Sequence, residues 1–515
     1  MILQKILLVQ PLGALTRPSG YMRTCYLEPI GLEYLAGAIE TRGYAVVVVS
    51  GDVTEKQLEL EIEQSHPFIV GFSVHTYVYE TSLNLAQVAK KTAQRLGYRL
   101  ITIFGGAHPT AFPELIASQS SVDFVVIGEG EETLCELVDC LVGDRDPELV
   151  KGLVFKRGGK VISTCRRNRK RELDNMPWPK RYTKFLDIAK QYQIAYPPPG
   201  KQVRIAQVMY SRGCPFSCSF CSSENIWGHE VFWRSPQAVL DEIEYLVEEY
   251  GTNLIYFPDL TFNISREKVL YLCREFHRRK PPVHWWALFR ADLLDKELLA
   301  ALREAGCVKI SIGLESPNLN LARKLKGAYE AQDVQIQQNL IEADNLGFII
   351  KAFLMIGFPE ETSEMINGYK DSLFDLPIDE LRVTFATPFP GTKFFNECIE
   401  KELIEKEPDW SKFTTEVPVL KHSTIANNEI IRLREELVTG FYLDQRYVQH
   451  VREKLENFPY LRNSWLEYFY FLAEKDVFKG RQNELMKLIE SLNNISSEGI
   501  LEPTLSISKI HGGRL

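Results

Sequence analysis

Three cysteines stand in the stretch Ser211-Arg212-Gly213-Cys214-Pro215-Phe216-Ser217-Cys218-Ser219-Phe220-Cys221, with the spacing C-x3-C-x2-C. Three thiolates on one loop can hold three irons of a cubane cluster, because soft sulfur ligands are what iron–sulfur centres take. The fourth iron then has no cysteine and stays open to an external ligand, such as a chelating amino acid. Two other readings of the triplet remain open. Positions i, i+4 and i+7 share a helix face and could be core cysteines, although Gly213, Pro215, Ser217, Ser219, Ser222 and Ser223 oppose a regular helix there. Zinc is the other competitor: a structural zinc site takes four protein ligands, and on spacing alone His229 is near enough to be the fourth.

The elements that must position this loop follow from the rest of the chain. At 515 residues the length suggests roughly three domains. With 45% apolar and 25% charged residues, 32 Gly and 26 Pro, the composition is that of a folded globular protein and excludes collagen-like or disordered classes. The 60 Lys+Arg against 68 Asp+Glu give a formal charge of -8, so no nucleic-acid partner is expected. No run of about 18 apolar residues is free of charge, and no transmembrane segment is expected. The opening MILQKILLVQP reads as a buried strand over Lys5–Gln10 rather than a signal peptide, since its apolar run is short and Pro11 and Gly13 follow. Of the ten cysteines, seven lie singly, which is no disulfide scaffold and fits a reducing cytoplasm.

Short β-branched runs alternate with stretches of helical period from the start, the pattern of parallel β-α units. Strands are predicted near Ile6–Val9, Ala45–Val49, Ile69–Phe72, Leu100–Phe104 and Phe124–Ile127, making residues 1–143 a flavodoxin-like, doubly wound α/β domain. Ligands of such sheets bind beyond the carboxyl ends of the strands. Residues 144–200 read as a linker holding a hairpin that turns at Gly158-Gly159, a basic run Arg166–Arg171 taken as a solvated loop, and prolines at Pro177, Pro179 and Pro197–Pro199. A second series spans 201–395, with strands predicted near Ile205–Tyr210, Leu254–Phe257, Trp285–Phe289, Val308–Gly313, Ile350–Ile356 and Glu380–Phe385, and suggests a partial (β/α)6 TIM-like barrel. Residues 396–515 read as helical, with Trp465, Tyr468, Phe469, Tyr470 and Phe471 expected in helix-core packing.

C-x3-C-x2-C after the first strand of an incomplete barrel, with Phe220 before the last cysteine, resembles the radical S-adenosylmethionine superfamily. The resemblance implies a [4Fe–4S] cluster on Cys214, Cys218 and Cys221 that reductively cleaves S-adenosylmethionine to a 5′-deoxyadenosyl radical. It also places Phe220 near adenine. Further strand ends look like the same superfamily: Tyr256-Phe257-Pro258-Asp259, Arg290, Gly313-Leu314-Glu315-Ser316, Gly357-Phe358-Pro359-Glu360-Glu361-Thr362 and Pro388–Thr392. Many relatives carry a second acid where Leu260 stands. The resemblance makes Asp259, Arg290, Glu315 and Gly357 candidate contacts for S-adenosylmethionine. Chemically, a carboxylate such as Glu315 can accept hydrogen bonds from ribose hydroxyls or an amino group, and Arg290 can fork onto a carboxylate or tie neighbouring loops by a salt bridge.

A flavodoxin-like domain ahead of such a barrel, with Pro29-Ile30-Gly31-Leu32-Glu33-Tyr34-Leu35, Gly105-Gly106-Ala107-His108-Pro109-Thr110 and Gly128-Glu129-Gly130-Glu131-Glu132-Thr133, resembles the cobalamin-dependent branch. Cobalamin is therefore expected against Ser73, His75, Thr76, Gly105, Gly106, Gly128 and Glu129. The D-x-H-x-x-G pattern that supplies a histidine to cobalt in cobalamin mutases is absent, and His75 is a candidate neighbour of the lower cobalt face. The leading expectation is a cobalamin-dependent radical C-methyltransferase acting on an unactivated carbon of a small-molecule, lipid or peptide substrate, fed by an electron donor such as flavodoxin or ferredoxin. The alternatives are an oxidative cyclase of the anaerobic magnesium-protoporphyrin IX monomethyl ester type, and a non-catalytic cobalamin-binding regulator.

Overall fold

The computed structural model describes residues 4–12, 28–188, 203–326, 333–422 and 425–493. Gly13 and Pro197–Pro199 of the expectations above lie outside the described residues.

The first domain runs β1 (Lys5–Pro11), α1 (Ile30–Glu40), β2 (Ala45–Gly51), α2 (Glu55–Ser65), β3 (Ile69–Ser73), α3 (Tyr79–Arg95), β4 (Ile101–Gly105), α4 (Ala107–Ala111), α5 (Pro113–Ala117), β5 (Phe124–Val126), α6 (Glu131–Val142), β6 (Leu153–Arg157) and β7 (Lys160–Ser163). Its sheet has the order β2-β1-β3-β4-β5-β6-β7, the first five strands parallel as the alternating pattern predicts, in the flavodoxin-like order. Alternate residues of each strand serve opposite faces. Ile6 and Leu8 join one core with Leu32 and Leu134, whereas Leu7 and Val9 join the other with Leu58 and Leu85. The hairpin at Gly158-Gly159 forms, and β6 pairs antiparallel with β5, so it extends this sheet rather than hanging in a linker.

The chain then passes α7 (Thr183–Ile188) and enters a second series: β8 (Ile205–Gln207), β9 (Ser211–Arg212), α8 (Ser223–Trp227), β10 (Phe232–Trp233), α9 (Pro236–Tyr250), β11 (Leu254–Phe257), α10 (Arg266–Arg279), β12 (His284–Phe289), α11 (Lys296–Glu304), β13 (Cys307–Glu315), α12 (Leu319–Lys326), α13 (Asp333–Asn345), β14 (Ile349–Ile356), α14 (Ser363–Leu373), β15 (Glu380–Phe385) and α15 (Lys393–Glu400). Six of these strands form one parallel sheet in sequential order, β8-β11-β12-β13-β14-β15, the incomplete barrel expected. Side chains of Ser235, Ser265, Asp295, Thr362 and Thr392 cap α9, α10, α11, α14 and α15 by accepting a first-turn N–H, which fixes where each helix leaves its strand.

The first barrel strand is shorter than predicted. Its expected end at Tyr210 fails because the Tyr210 and Ser211 N–H groups donate to the Asp259 carboxylate, at 3.1 and 2.5 Å, instead of to a neighbouring strand. The basic run also departs from expectation. Arg167 pairs with Glu132 and Glu136, and Arg169 pairs with Glu129 and lies over the Phe232 ring, because acidic residues at the start of α6 face this segment. Arg171, with its side chain 75% exposed, keeps the solvated character predicted for the run.

Two buried charge clusters lock the parts together. Arg181 reaches Glu28 and Glu33 of the first domain at 2.5 and 3.4 Å and Glu242 on α9 at 2.6 Å. Burial, followed by the charge of Glu28, holds the Glu33 carboxyl well above the ordinary carboxylate range. Beyond the barrel come α16 (Asn427–Tyr442), α17 (Gln445–Asn457), α18 (Arg462–Ala473) and α19 (Gln482–Asn493). Trp465, Tyr468, Phe469 and Phe471 are buried and Tyr470 is exposed, so the aromatic stretch is core packing as predicted. Lys454 of α17 ion-pairs with Asp344 at 2.8 Å and with Asp379, which also meets His450 at 2.9 Å. Asp344, Asp379 and His450 are the metal-competent group whose ligand atoms close to within 4.8 Å among the described residues, but the Lys454 ammonium already pairs with both carboxylates and His450 Nε2 donates to Asp379.

Replacing one member of a buried ion pair strands the other. Lys454→Met is expected to lower the unfolding free energy by about 3 kcal/mol in urea titration, and the double variant Lys454→Met with Asp379→Asn to recover part of that loss.

Candidate functional site

The cysteine loop exists because β8 stops early. Asp259, at the end of β11, is 2% exposed and accepts from Tyr210 N–H, Ser211 N–H and Ser211 Oγ–H. Burial pushes its carboxyl up to about 6 against those hydrogen bonds. Freed from the sheet, Ser211–Arg212 pairs antiparallel with Phe232–Trp233, and the chain turns at Gly213 with φ +108°. A Cβ there would lie 2.1 Å from the Glu230 carbonyl oxygen, so only glycine fits. Cys214, Cys218 and Cys221 follow, all half-buried and all free. Cys214 Sγ lies 3.8 Å from Thr261 Oγ1, and Cys221 Sγ lies 3.1 Å from Ser223 Oγ. Burial, then the neighbouring Cys221 and Glu315, pushes the Cys218 thiol up to about 11. Metal binding at these sulfurs must therefore release protons.

The zinc reading has no closed site: among the described residues the cysteine sulfurs and His229 do not form a group whose ligand atoms lie within 4.8 Å of one another. The His229 ring is 46% exposed and its Nε2 pairs with Glu224 at 3.0 Å. A three-thiolate donor set of this chemistry fits an iron–sulfur cubane with one open iron.

Around the loop stand the other strand ends. Glu315 closes β13 at a register shift relative to β14, with φ +65°. A bulge re-aims a side chain, and a non-glycine residue held in the left-handed region is strain of the sort that collects at working sites. Burial raises the Glu315 carboxyl, opposed by Lys326 and Arg290. The Lys326 ammonium donates to the Gly313 carbonyl. Arg290 makes the loop tie: its guanidinium forks onto Asp292 at 2.7 and 3.1 Å and covers the Phe216 ring at 3.8 Å. Phe220 packs beside Leu321, Leu325, Phe358 and Phe394. Gly357, with φ +87°, donates its N–H to Glu361 at 2.6 Å, and Phe358 N–H donates to the same oxygen. Glu315, Lys326, Arg290 and the cysteines thus share one electrostatic neighbourhood, whereas Asp259 lies beneath it with its oxygens committed to Tyr210 and Ser211.

The first domain presents a trench of about 170 Å³ at the carboxyl ends of its strands. Gly31, Leu32 and Leu35 of α1 line it together with Ser73, Gly105, Gly106, Gly128 and Glu129. Helical spacing sends the next residues of that string elsewhere, Glu33 to Arg181 and Tyr34 beneath the Arg212 guanidinium. Gly106 has φ +103°, and a Cβ there would meet the Val74 backbone at 3.1 Å. A glycine-floored, apolar-walled groove of this volume fits a flat part of cobalamin such as its nucleotide tail, not a whole corrin.

His75 and Thr76 are not in the trench. They line a second cavity of about 170 Å³ with Tyr77, Ser222 and Phe389. Burial lowers the His75 ring below its usual pKa, which keeps it neutral, and Thr76 Oγ1 is 3.2 Å from His108 Nδ1.

Ile226 and Trp227 of α8, immediately after the cysteine loop, form the far wall of the trench, and the Ile226 carbonyl stands 3.7 Å from where a Cβ on Gly128 would be. Sequence reasoning passed over Lys326 and Trp227. Arg212, Glu361 and Glu131 stood inside quoted strings, but nothing in their spacing gave them a role.

Residues 24–138 match the B12 binding domain family, and residues 208–373 match the Radical SAM superfamily. An uncharacterized methyltransferase of Pyrococcus horikoshii is 30% identical over 450 residues, covering 86% of this chain and 93% of its own. The anaerobic magnesium-protoporphyrin IX monomethyl ester cyclase of Rubrivivax gelatinosus is 28% identical over 437 residues, covering 82% and 75%. The solved structure of OxsB, a cobalamin-dependent S-adenosylmethionine radical enzyme with aqua-cobalamin bound, superposes with a TM-score of 0.68 at 14% identity over 96% of this chain and 84% of that one. No described helix is long and apolar enough to cross a membrane. With a glycine-floored trench facing a three-cysteine loop across one helix, the chain belongs to the cobalamin-binding radical S-adenosylmethionine enzymes.

Proposed function

We propose that the protein is a C-methyltransferase that adds a methyl group to an unactivated carbon of a small-molecule, lipid or peptide substrate, working in the cytoplasm with a low-potential electron donor such as flavodoxin or ferredoxin. Bound to this chain, the cluster with S-adenosylmethionine supplies a hydrogen-abstracting radical and cobalamin supplies the methyl group. The observation that carries the reading is the shared wall: Ile226 and Trp227 belong both to the cysteine segment and to the trench.

The residues divide the work. Cys214, Cys218 and Cys221 hold the metal, and Asp259 fixes the loop that presents them. Glu315, held in its bulge, can accept from the amino group or ribose of S-adenosylmethionine, and Phe220 offers an apolar face for adenine. Arg290 reaches the cofactor carboxylate only by exchanging or sharing Asp292. Gly105 leaves open space in the trench where part of cobalamin would sit, Gly106 and Gly128 let the backbone pass Val74 and Ile226, and Glu129 lines the same trench. Neutral His75 faces the junction from the first domain, beside Ser222.

Methylation needs two molecules of S-adenosylmethionine in two roles, so S-adenosylhomocysteine and 5′-deoxyadenosine are expected in equal amounts, with one CH2 added to the product. Deoxyadenosine alone, with no mass gained by a true substrate, overturns methylation and favours the cyclase chemistry of the Rubrivivax relative. Alanine at Cys214, Cys218 or Cys221 is expected to abolish cluster absorbance and both products. Gly105→Leu fills the trench without backbone strain, because its neighbour Val126 is 3.8 Å from the new Cβ. The variant is expected to weaken cobalamin retention roughly ten- to a hundredfold, the affinity equivalent of about 1–3 kcal/mol of overpacking, while the cluster reconstitutes normally.

A further inference from the structure

Arg212 is the residue through which the two domains meet at the site. It lies one residue before the Gly213 turn and two before Cys214, and its side chain is 4% exposed. One arm of its guanidinium donates to Glu129, in the loop after β5, at 3.0 Å, and the other lies 2.8 Å from Glu131, the first residue of α6. The planar head sits 4.8 Å from the Tyr34 ring of α1 and 5.4 Å from the Trp227 ring of α8. Its own carbonyl accepts from Arg169, which also pairs with Glu129 at 3.3 Å. Gly128, Glu129, Gly130, Glu131 and Trp227 are all trench residues.

A rigid path therefore runs from trench to guanidinium to Gly213 to the first cysteine. A guanidinium held by two carboxylates and two rings has a fixed orientation, which a flexible ammonium cannot reproduce. We propose that Arg212 is a positioning residue that sets the approach of the cluster loop to the cobalamin trench. The proposal rests on the reading that both cofactors act in one reaction. Arg212 touches neither reacting group; it acts through Cys214 on one side and through Glu129 and Glu131 on the other. The same network explains why the basic segment crosses this junction, since Arg169 braces both Glu129 and the Arg212 carbonyl.

The test uses the full chain reconstituted anaerobically with iron, sulfide and hydroxocobalamin, comparing Arg212→Gln, Arg212→Lys and Glu131→Gln with the natural sequence. Two readouts need no substrate. One is electron paramagnetic relaxation of cob(II)alamin by the reduced cluster, which reports their separation. The other is the ratio of S-adenosylhomocysteine formed from reduced cobalamin to 5′-deoxyadenosine formed by uncoupled cleavage.

The expected result is iron content equal to the natural protein, weaker spin relaxation per bound cobalamin, and a product ratio per bound cobalamin lowered roughly ten- to a hundredfold, because a misplacement of about 1 Å acts on that scale. Arg212→Lys restores neither readout, because an ammonium lacks the planar fork that meets Glu129 and Glu131 while lying against the Tyr34 and Trp227 rings. Should Arg212→Gln fail to fold, Glu131→Gln leaves the cysteine loop untouched and carries the test alone. Unchanged relaxation and ratio overturn the proposal, and so does a fall of both products in step with melting temperature, which marks a merely structural residue. If the natural protein itself forms no S-adenosylhomocysteine, methyl transfer fails, and spin relaxation still decides Arg212.

Discussion

A strand continuing past Gln207 would commit the amides of Tyr210 and Ser211 to its neighbour and carry the cysteines into the sheet. The Asp259 carboxylate takes those amides instead, together with the Ser211 hydroxyl, inside a site that is 2% exposed. A buried carboxylate is tolerated where several donors satisfy it. Its effect is to end one strand early, let Ser211–Arg212 pair with Phe232–Trp233, and turn the chain at Gly213 into a loop whose three sulfurs face the barrel mouth. Every later feature depends on that exit: without it there is no cradle for the Glu315 bulge or the Lys326 ammonium to surround.

The second organising feature is the placement of charge at the domain junction. Arg181 with Glu28, Glu33 and Glu242, and Arg212 with Glu129 and Glu131, are buried clusters that bridge the flavodoxin-like sheet and the barrel. Buried ion pairs contribute little net stability once desolvation is counted, but they specify orientation strongly because a misaligned charge is costly. An apolar junction of the same area would tolerate sliding. For an enzyme that must present two cofactors to one another, fixed orientation is the useful property, and the string Pro29–Leu35 shows how one helix serves it: one face lines the trench while Glu33 engages Arg181 of the linker and Tyr34 engages Arg212 of the barrel.

Much of this was legible before any coordinates. Parallel strands are buried on both faces and read as short apolar runs, so β11 and β15 begin and end where the pattern put them. The cysteine triplet was readable because its ligands are neighbours in sequence and break helical habit. Tertiary pairing was not readable. Glu129 and Arg212 are 83 residues apart and no periodicity joins them. For the same reason the basic run looked like solvated loop until its carboxylate partners were placed opposite it. Asp259 was recognised as a residue of the site, but its direction, down onto β8 rather than up toward a cofactor, depends on which amides the sheet leaves over.

Three thiolates on four irons leave one iron of a cubane open for S-adenosylmethionine. Electron–nuclear double resonance of the reduced, reconstituted protein with S-adenosylmethionine labelled by nitrogen-15 at the amino group tests it most directly. An amino group bound at an open iron gives a nitrogen coupling of the size expected for direct bonding. Absence of that coupling in protein that holds a full complement of cluster, or zinc in the metal analysis in place of iron, would contradict it.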